Sequence, residues 1–259
     1  MSKFTKIYHY SVVLTLFLIF ILPIGVTFLY SFSSSWGATL LPDSITIKWY
    51  LELFDDPRFW KALTNSLIVC ISTLILAFIL IFPVVFCANY YFLKLKSLMN
   101  ILVISPFVIP PIVSTVGLLQ IYSNSIGGTP YILIGCYFCL ALPFVYRSID
   151  NTMSGINLEE IILSSKILGE NIIKSILKIV IPNIKNGVLV ALFLSFSFLI
   201  GEFLFANILV GTRFETLQVY LYNMKGKSGH YSSAMVITYF LLIFFATLIA
   251  ETLSSKKEK

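Results

Sequence analysis

Cysteine and histidine are the residues of this chain best suited to metal or redox chemistry. Cys136 and Cys139 form a Cys-x-x-Cys pair, the spacing of zinc sites and thiol–disulfide centres. The pair lies inside an apolar run with no second pair and no polar support nearby, so we interpret it as inert buried thiols. His9 and His230 lie near opposite ends of the chain, which argues against a shared metal. The sequence therefore predicts no metal and no cofactor.

Phosphate and hydrolytic chemistry would require motifs that this sequence lacks. It contains no G-x-x-x-x-G-K-[S/T] loop, the backbone cradle that binds nucleotide phosphates. No nucleophile, base and orienting residue stand out as a group, and polar residues are too few for a hydrolytic site. We expect a chain that is not an enzyme and has no catalytic residues, with any ATP hydrolysis on a separate subunit.

Glu202 is the one acidic residue deep inside an apolar run, in the stretch LIGEFLFAN. A charge in that position is costly, and such groups normally face a protein interior or a water-filled cavity. Asn207 follows five residues later and is offset from Glu202 around a helix. Two interpretations remain open: a polar contact within the bundle or between subunits, or a gate that contacts a cation in a translocation path.

Three prolines, Pro106, Pro110 and Pro111, interrupt another apolar run. Proline in a membrane helix frees backbone carbonyls, which neighbouring groups or a water-lined cavity must satisfy. They predict a structural kink, a broken helix that lines the translocation path, or both.

The composition identifies the elements that position these residues. Of the 259 residues, 58% are hydrophobic and 12% are charged, against about 25% charged in soluble domains. Continuous apolar runs of about 20 residues predict membrane-spanning helices rather than the alternating strands of a barrel. We therefore expect an all-α polytopic membrane protein with six transmembrane helices in a single transmembrane domain, residues 1–259. The predicted spans are 10–31, 66–91, 101–122, 131–148, 188–210 and 235–252.

Basic residues set the expected orientation. With the N-terminus inside, twelve of the 18 Lys and Arg residues fall in inner segments and six in outer ones. By the positive-inside rule, both termini are cytoplasmic in the cell's inner (plasma) membrane. The net charge of +6 does not indicate a nucleic-acid partner, because the basic residues flank apolar runs that face lipid and form no block with interleaved aromatics.

The inner segment 149–187 is the longest one on the cytoplasmic side. Its apolar residues recur at helical spacing on both sides of Gly169, and Pro182 should end or kink the second helix. A helix, a glycine turn and a second helix are expected. Such a hairpin could simply connect two spans, or it could offer an apolar surface to a groove on a soluble partner.

This hairpin resembles the cytoplasmic loop of the permease subunits of binding-protein-dependent ABC importers. That signature reads Glu-Ala-Ala, three residues, Gly, nine residues, then Ile-x-Leu-Pro. Gly169, Ile179, Ile181 and Pro182 match its second half at full spacing, and Ser164 and Ser165 occupy the two small positions. Leu163 stands where the family places its glutamate. The resemblance implies that these seven residues couple the chain to an ATPase.

The resemblance extends over nearly the whole chain. KWYLELFDDPRFWKALTNSL, ISPFVIPPIV and GEFLFANILVG each resemble stretches of the same family, and the chain looks most similar to its spermidine/putrescine branch. Iron, thiamine and aminoethylphosphonate permeases look only somewhat less similar. This implies a pore-forming subunit that works with two ATP-binding subunits, a second permease and an extracytoplasmic solute-binding protein, with a polyamine as possible cargo.

Two alternatives from other classes stay open at this point. An ion-gradient-driven secondary transporter would call for paired intramembrane charges and inverted repeats. One buried acid and no visible repeat speak against it. A membrane scaffold subunit is the third interpretation. An ATPase that purifies with the chain would distinguish the importer from both.

Overall fold

The structure is a computed structural model that describes residues 3–37, 39 and 42–255, with side chains for 8–37, 39, 42–248 and 252. Lys256, Lys257 and Lys259, which the charge count placed inside, lie outside the described residues. The expected all-helical class is confirmed.

The described residues form fourteen α-helices, joined by turns, one 3-10 turn at Leu93–Leu95 and one π-helical turn at Ile176–Val180. The α-helices are α1 Lys3–Ser31, α2 Lys48–Asp55, α3 Pro57–Tyr90, α4 Lys96–Leu102, α5 Ser105–Val108, α6 Pro111–Tyr122, α7 Pro130–Ser154, α8 Leu158–Ile167, α9 Ile172–Ser175, α10 Ile181–Asn183, α11 Lys185–Ile200, α12 Leu204–Leu209, α13 Leu217–Met224 and α14 Gly229–Ser255.

Four helical segments are long and apolar enough to cross a membrane: Tyr8–Ser31, Pro57–Tyr90, Pro130–Ser154 and Gly229–Leu248. Two pairs of helices, each bent at a short break, also meet these criteria of length and apolar composition when each pair is counted as one span. Leu93–Val108 and Pro111–Tyr122 meet at 83°, and Ile172–Asn183 and Lys185–Ile200 meet at 71°. The described residues thus contain four to six candidate spans. The 83° break falls inside the third predicted span, at Pro110 and Pro111, and the 71° bend falls at Ile184, after Pro182 and just before the fifth predicted span. Proline accounts for both, because it removes a backbone hydrogen bond and clashes with the preceding turn.

The chain divides into two compact units. In the described residues, the first runs to Trp60 and includes Leu221–Phe244. Within this unit, the ring of His230 stacks on Tyr30 and on Trp49. The distances between ring centroids are 4.0 Å and 5.6 Å. The Nδ1 atom of His230 lies 2.9 Å from Ser33 Oγ and 3.0 Å from the Tyr30 carbonyl oxygen. These contacts hold the start of α14 against the end of α1 and against α2.

The second unit comprises Lys61–Tyr220 and the chain from Phe245. Its core is the packing of α7 against α11, which buries Val145, Ile149 and Leu199. The helices approach closely at Gly187, where an added Cβ would overlap the Thr152 side chain. This unit contains every residue that the sequence singled out for coupling or for the translocation path.

Candidate functional site

The predicted cytoplasmic hairpin begins at a capped helix. Asn157 accepts a hydrogen bond from Glu160 N at 3.3 Å, and its amide donates to Glu160 Oε2 at 3.0 Å. This reciprocal arrangement resembles a capping box, but it satisfies only one backbone donor, Glu160 N, because the Glu160 carboxylate accepts from the Asn157 side chain. The local sequence thus fixes where α8 starts, and α8 runs from Leu158 to Ile167.

Gly169 forms the turn between the two helices, as predicted. Its φ is +82°, and its N–H donates to the Lys166 carbonyl at 2.9 Å. Glu170 N–H donates to the Ser165 carbonyl at 3.1 Å. An added Cβ at Gly169 would meet no atom within 4 Å, so the backbone conformation rather than space favours glycine here.

Polar contacts also fix the second helix. Asn171 accepts from Lys174 N at 2.9 Å and caps α9. Glu170 lies 3.4 Å from Lys174 Nζ and 3.2 Å from Lys178 Nζ. The hydrogen bond from Lys178, with the two lysine charges, lowers the pKa of the Glu170 carboxyl. The turn and the helix after it are therefore held in one arrangement.

Ser165 lies inside the hairpin and is not available to a partner. Its hydroxyl is 2.5 Å from that of Ser175, which donates to the Asn171 carbonyl at 3.0 Å. Ser165 is 2% exposed, whereas Ser164 is exposed. The two small positions of the signature therefore differ here: one packs the hairpin together, and the other faces outward.

The outer surface of the hairpin is strongly apolar at its tip. Ile167 and Leu168, beside the glycine turn, are 86% and 81% exposed. Leu163, Ile173 and Leu177 are also at least half exposed. We call these five residues the tip surface. Sequence reasoning singled out Leu163 and missed Ile167 and Leu168, although their place next to the turn was a usable signal.

Ile179, Ile181 and Pro182 connect the hairpin to the span that follows. Ile179 ends up in the π-helical turn, and Ile181 and Pro182 are in α10, just before the 71° bend. Ile179 and Ile181 are half-buried, so they belong to the base of the hairpin more than to the tip surface. A movement of the hairpin would reach α11 through this joint.

A polar cluster that the sequence did not reveal lies at the end of α7, just before the hairpin. Asp150 is 8% exposed; its Oδ1 lies 2.6 Å from Asn89 Nδ2 and 3.1 Å from Lys96 Nζ. Lys96 Nζ also donates to Ser154 Oγ at 2.7 Å. The cluster ties the end of α7 to the end of α3 and the start of α4, two consecutive segments about 60 positions earlier in the chain. It therefore anchors the point from which the hairpin extends.

We expect Asp150→Ala to destabilise the chain by about 2–4 kcal/mol, because it strands the Lys96 ammonium and the Asn89 amide in a mostly buried place. Thermal unfolding in detergent measures the loss. Asp150→Leu combined with Lys96→Met should recover part of it, since the unpaired charge is gone. Glu159→Ala, at an exposed acid, is the control. A loss of stability no larger than that of the control would show that the cluster does not stabilise the chain.

The three prolines lie at the break in the third predicted span. Pro110 stands between α5 and α6, and Pro111 begins α6. Pro106 lines a cavity of about 510 Å³, together with Ile109 on the same span and Cys136 on α7. The structure shows the predicted break of the helix at the prolines. That this broken helix lines a translocation path stays a prediction.

Cys136 and Cys139 both line this apolar cavity, Cys136 being buried and Cys139 exposed. Among the residues that the structure describes, no three His, Cys, Asp or Glu side chains group closely enough to hold a metal ion.

Glu202 caps a short helix. Its carboxylate accepts from Phe205 N at 2.8 Å and from Ala206 N at 3.2 Å, at the start of α12. A carboxylate suits this place because helix N-termini present unpaired N–H groups and partial positive charge. Asn207 lies half-buried on the same helix. The geometry thus gives Glu202 a local capping role, and both sequence interpretations, a polar contact within the bundle or between subunits and a gate, stay predictions.

We expect Glu202→Ala to cost about 0.5–2 kcal/mol, the usual loss for a helix cap. Glu202→Gln keeps one acceptor and should cost less. Thermal unfolding in detergent checks the order. Asn207→Ala is the matched control, since no hydrogen bond of its side chain is found within the described residues. Equal losses for Glu202→Ala and Asn207→Ala would contradict the capping role.

Comparison with known proteins places this geometry in a class. No protein-family model matches the chain. It is 27% identical over 214 residues to the "Probable transport system permease protein NifC" of Clostridium pasteurianum, covering 74% of each chain. Its fold matches a chain from the crystal structure of a bacterial ABC transporter involved in the import of the acidic polysaccharide alginate. There the TM-score is 0.77 at 15% identity, over 97% of this chain and 98% of that one.

The chain is therefore an all-helical polytopic membrane protein with an ABC importer permease fold. The expected importer-permease-like bundle is confirmed at this level.

Proposed function

We propose that this chain is the membrane-spanning permease subunit of an ATP-driven ABC importer, coupled to a separate ATPase through the hairpin 158–182. The observation that carries this proposal is the tip surface. Ile167 and Leu168 are more than four-fifths exposed, in a segment whose lysines predict a cytoplasmic location. A cluster of large apolar side chains facing water marks an interaction site.

The coupling path follows from how the hairpin is built. Its caps, its glycine turn and the Ser165–Ser175 contact hold it as one body. Closure of two ATP-binding subunits would displace that body. The joint at Ile179, Ile181 and Pro182 would pass the displacement to α11, and the Asp150 cluster would hold the other end. Tilting of the spans would then switch access to the pore from one side to the other.

The remaining parts of the proposal rest on the sequence. The chain forms one permease domain with six spans and both termini in the cytoplasm. It pairs with a second permease subunit, because one chain of this size encloses no obvious pore. A solute-binding protein delivers cargo from outside. The fold of an alginate importer chain and the similarity to NifC support this arrangement.

Polyamine is the cargo that the sequence resemblance implies, and it stays a prediction. Neither similar protein is named for a polyamine. Evidence for the cargo class must therefore come from the residues of this chain.

The test is affinity purification of the chain from its own membranes, followed by measurement of ATP hydrolysis in the eluate. The proposal predicts that an ATP-binding protein and a second permease elute together with the chain, and that the eluate hydrolyses ATP. A secondary transporter or a scaffold would elute without an ATP-binding protein, which would contradict the proposal.

A further inference from the structure

A second cavity in the same unit is polar, unlike the one beside the prolines. It measures about 490 Å³ and lies between the turn after α6 and the turn after α12. The two turns are tied together by a hydrogen bond from Gly128 N to the Leu209 carbonyl, at 3.0 Å. Basic-residue asymmetry places both turns on the outer side, where cargo would arrive.

The charge of this cavity comes from one side chain. Of the residues that line it, Arg213 alone is charged. Arg213 forms no ion pair with any acid in the described part of the chain. Its side chain crosses Gly128: a Cβ there would lie 2.8 Å from Arg213 Cδ and 3.1 Å from Nη1. Gly128, with φ +78°, thus lets the guanidinium lie close to the backbone at the cavity wall.

The other polar groups in the lining can support an anion. Ser123 and Thr212 supply hydroxyl donors, and Asn124 supplies an amide donor. A guanidinium is the preferred partner of carboxylate and tetrahedral oxyanion groups, because its donors match their geometry. The cavity has room for such a group with part of its hydration shell.

We propose that this cavity binds the oxyanion group of an anionic cargo, with Arg213 as its main charged contact. The inference rests on the proposed import function and gives it a cargo class. An anion is the reverse of the polyamine that the resemblance implies. The one acid that favoured a polycation, Glu202, already accepts from two backbone N–H groups, so it needs no cation. A polyamine would also be repelled by Arg213.

The test reads the electrostatic potential of the cavity with charged thiol reagents. The four native cysteines are replaced by alanine, Ser123→Cys is introduced, and the full chain is placed in nanodiscs. Reaction rates are measured with an anionic and a cationic methanethiosulfonate. Relative to a free small thiol, the ratio of anionic to cationic rates should rise about tenfold, the low end for a cleft lined by one sign of charge. Millimolar sulfate should slow the reaction.

Three variants make the result specific. Arg213→Gln should return the ratio to that of the free thiol and abolish the effect of sulfate. Arg213→Lys should retain most of both, and Lys225→Gln, which removes an equal charge outside the lining, should change neither. A ratio that does not rise, or that survives Arg213→Gln, would overturn the inference, as would protection by spermidine instead of sulfate. The assay needs no ATPase, so its failure is distinct from failure of the importer proposal.

Discussion

We expect Gly169→Val to reach the membrane in normal amount but to lose the proposed ATP-binding partner. The φ of +82° at Gly169 lies in the left-handed region, where a β-branched residue costs on the order of 1–3 kcal/mol. The turn would relax by changing the angle between the hairpin helices, which displaces the tip surface. Since about 1.4 kcal/mol is tenfold in affinity, a cost in this range predicts a drop of about 5- to 150-fold in the affinity for the ATP-binding protein, measured as its recovery with the chain. Uptake should fall with it.

Gly226→Val is the matched control for this substitution. Gly226 is exposed, an added Cβ would meet nothing within 4 Å, and its φ is not positive. The same side chain is thus added without the same backbone strain. If Gly169→Val retains normal ATPase recovery and normal uptake, the hairpin is only a connector.

Acidic substitution of the tip surface should have the second large effect. Burying Ile167 and Leu168 against a partner is worth about 1.5–3 kcal/mol for each side chain. The double variant Ile167→Asp and Leu168→Asp loses this burial energy and would bury two carboxylates in the contact. The affinity for the ATPase should therefore weaken more than 100-fold. Thermal stability of the isolated chain should change little, because both side chains are more than four-fifths exposed.

The control for this variant is Ile45→Asp. Ile45 is 82% exposed, as exposed as the tip residues, but lies in a segment predicted to be outside. It should leave ATPase recovery unchanged. An equal loss at Ile45 would mean that added charge disturbs the protein in general.

The sequence was most informative where function depends on local backbone geometry. A glycine between two helical patterns predicted the left-handed turn at Gly169, and the structure confirms its conformation. Long apolar runs predicted spans, because a membrane helix needs only length and apolar composition.

The sequence was least informative where segments distant along the chain meet. The Asp150 cluster joins residues about 60 positions apart, and nothing near Asp150 indicates its partners. The same holds for Ser165, which faces Ser175 across the turn although its neighbour Ser164 looks identical in sequence. The Arg213 cavity was missed because its two walls come from different spans.

A helix break inside the fifth predicted span was not foreseen, and the bounds of the spans stay a prediction. The fifth predicted span, 188–210, is in fact a helix that ends at Ile200, a cap at Glu202 and the short helix α12. A helix of 16 residues covers about 24 Å, less than the roughly 30 Å of a bilayer core. By itself this helix is therefore too short to cross, and it qualifies as a candidate span only together with Ile172–Asn183, before the 71° bend.

The most direct test of the central claim is site-specific photocrosslinking from the hairpin tip in intact membranes. A benzophenone amino acid replaces Leu168 in one variant and Ile45 in another, and the crosslinked products are identified by mass spectrometry. The account predicts that an ATP-binding subunit is captured from Leu168 and not from Ile45. Capture of no ATP-binding protein from Leu168, in membranes where the chain is present at its normal level, would contradict it.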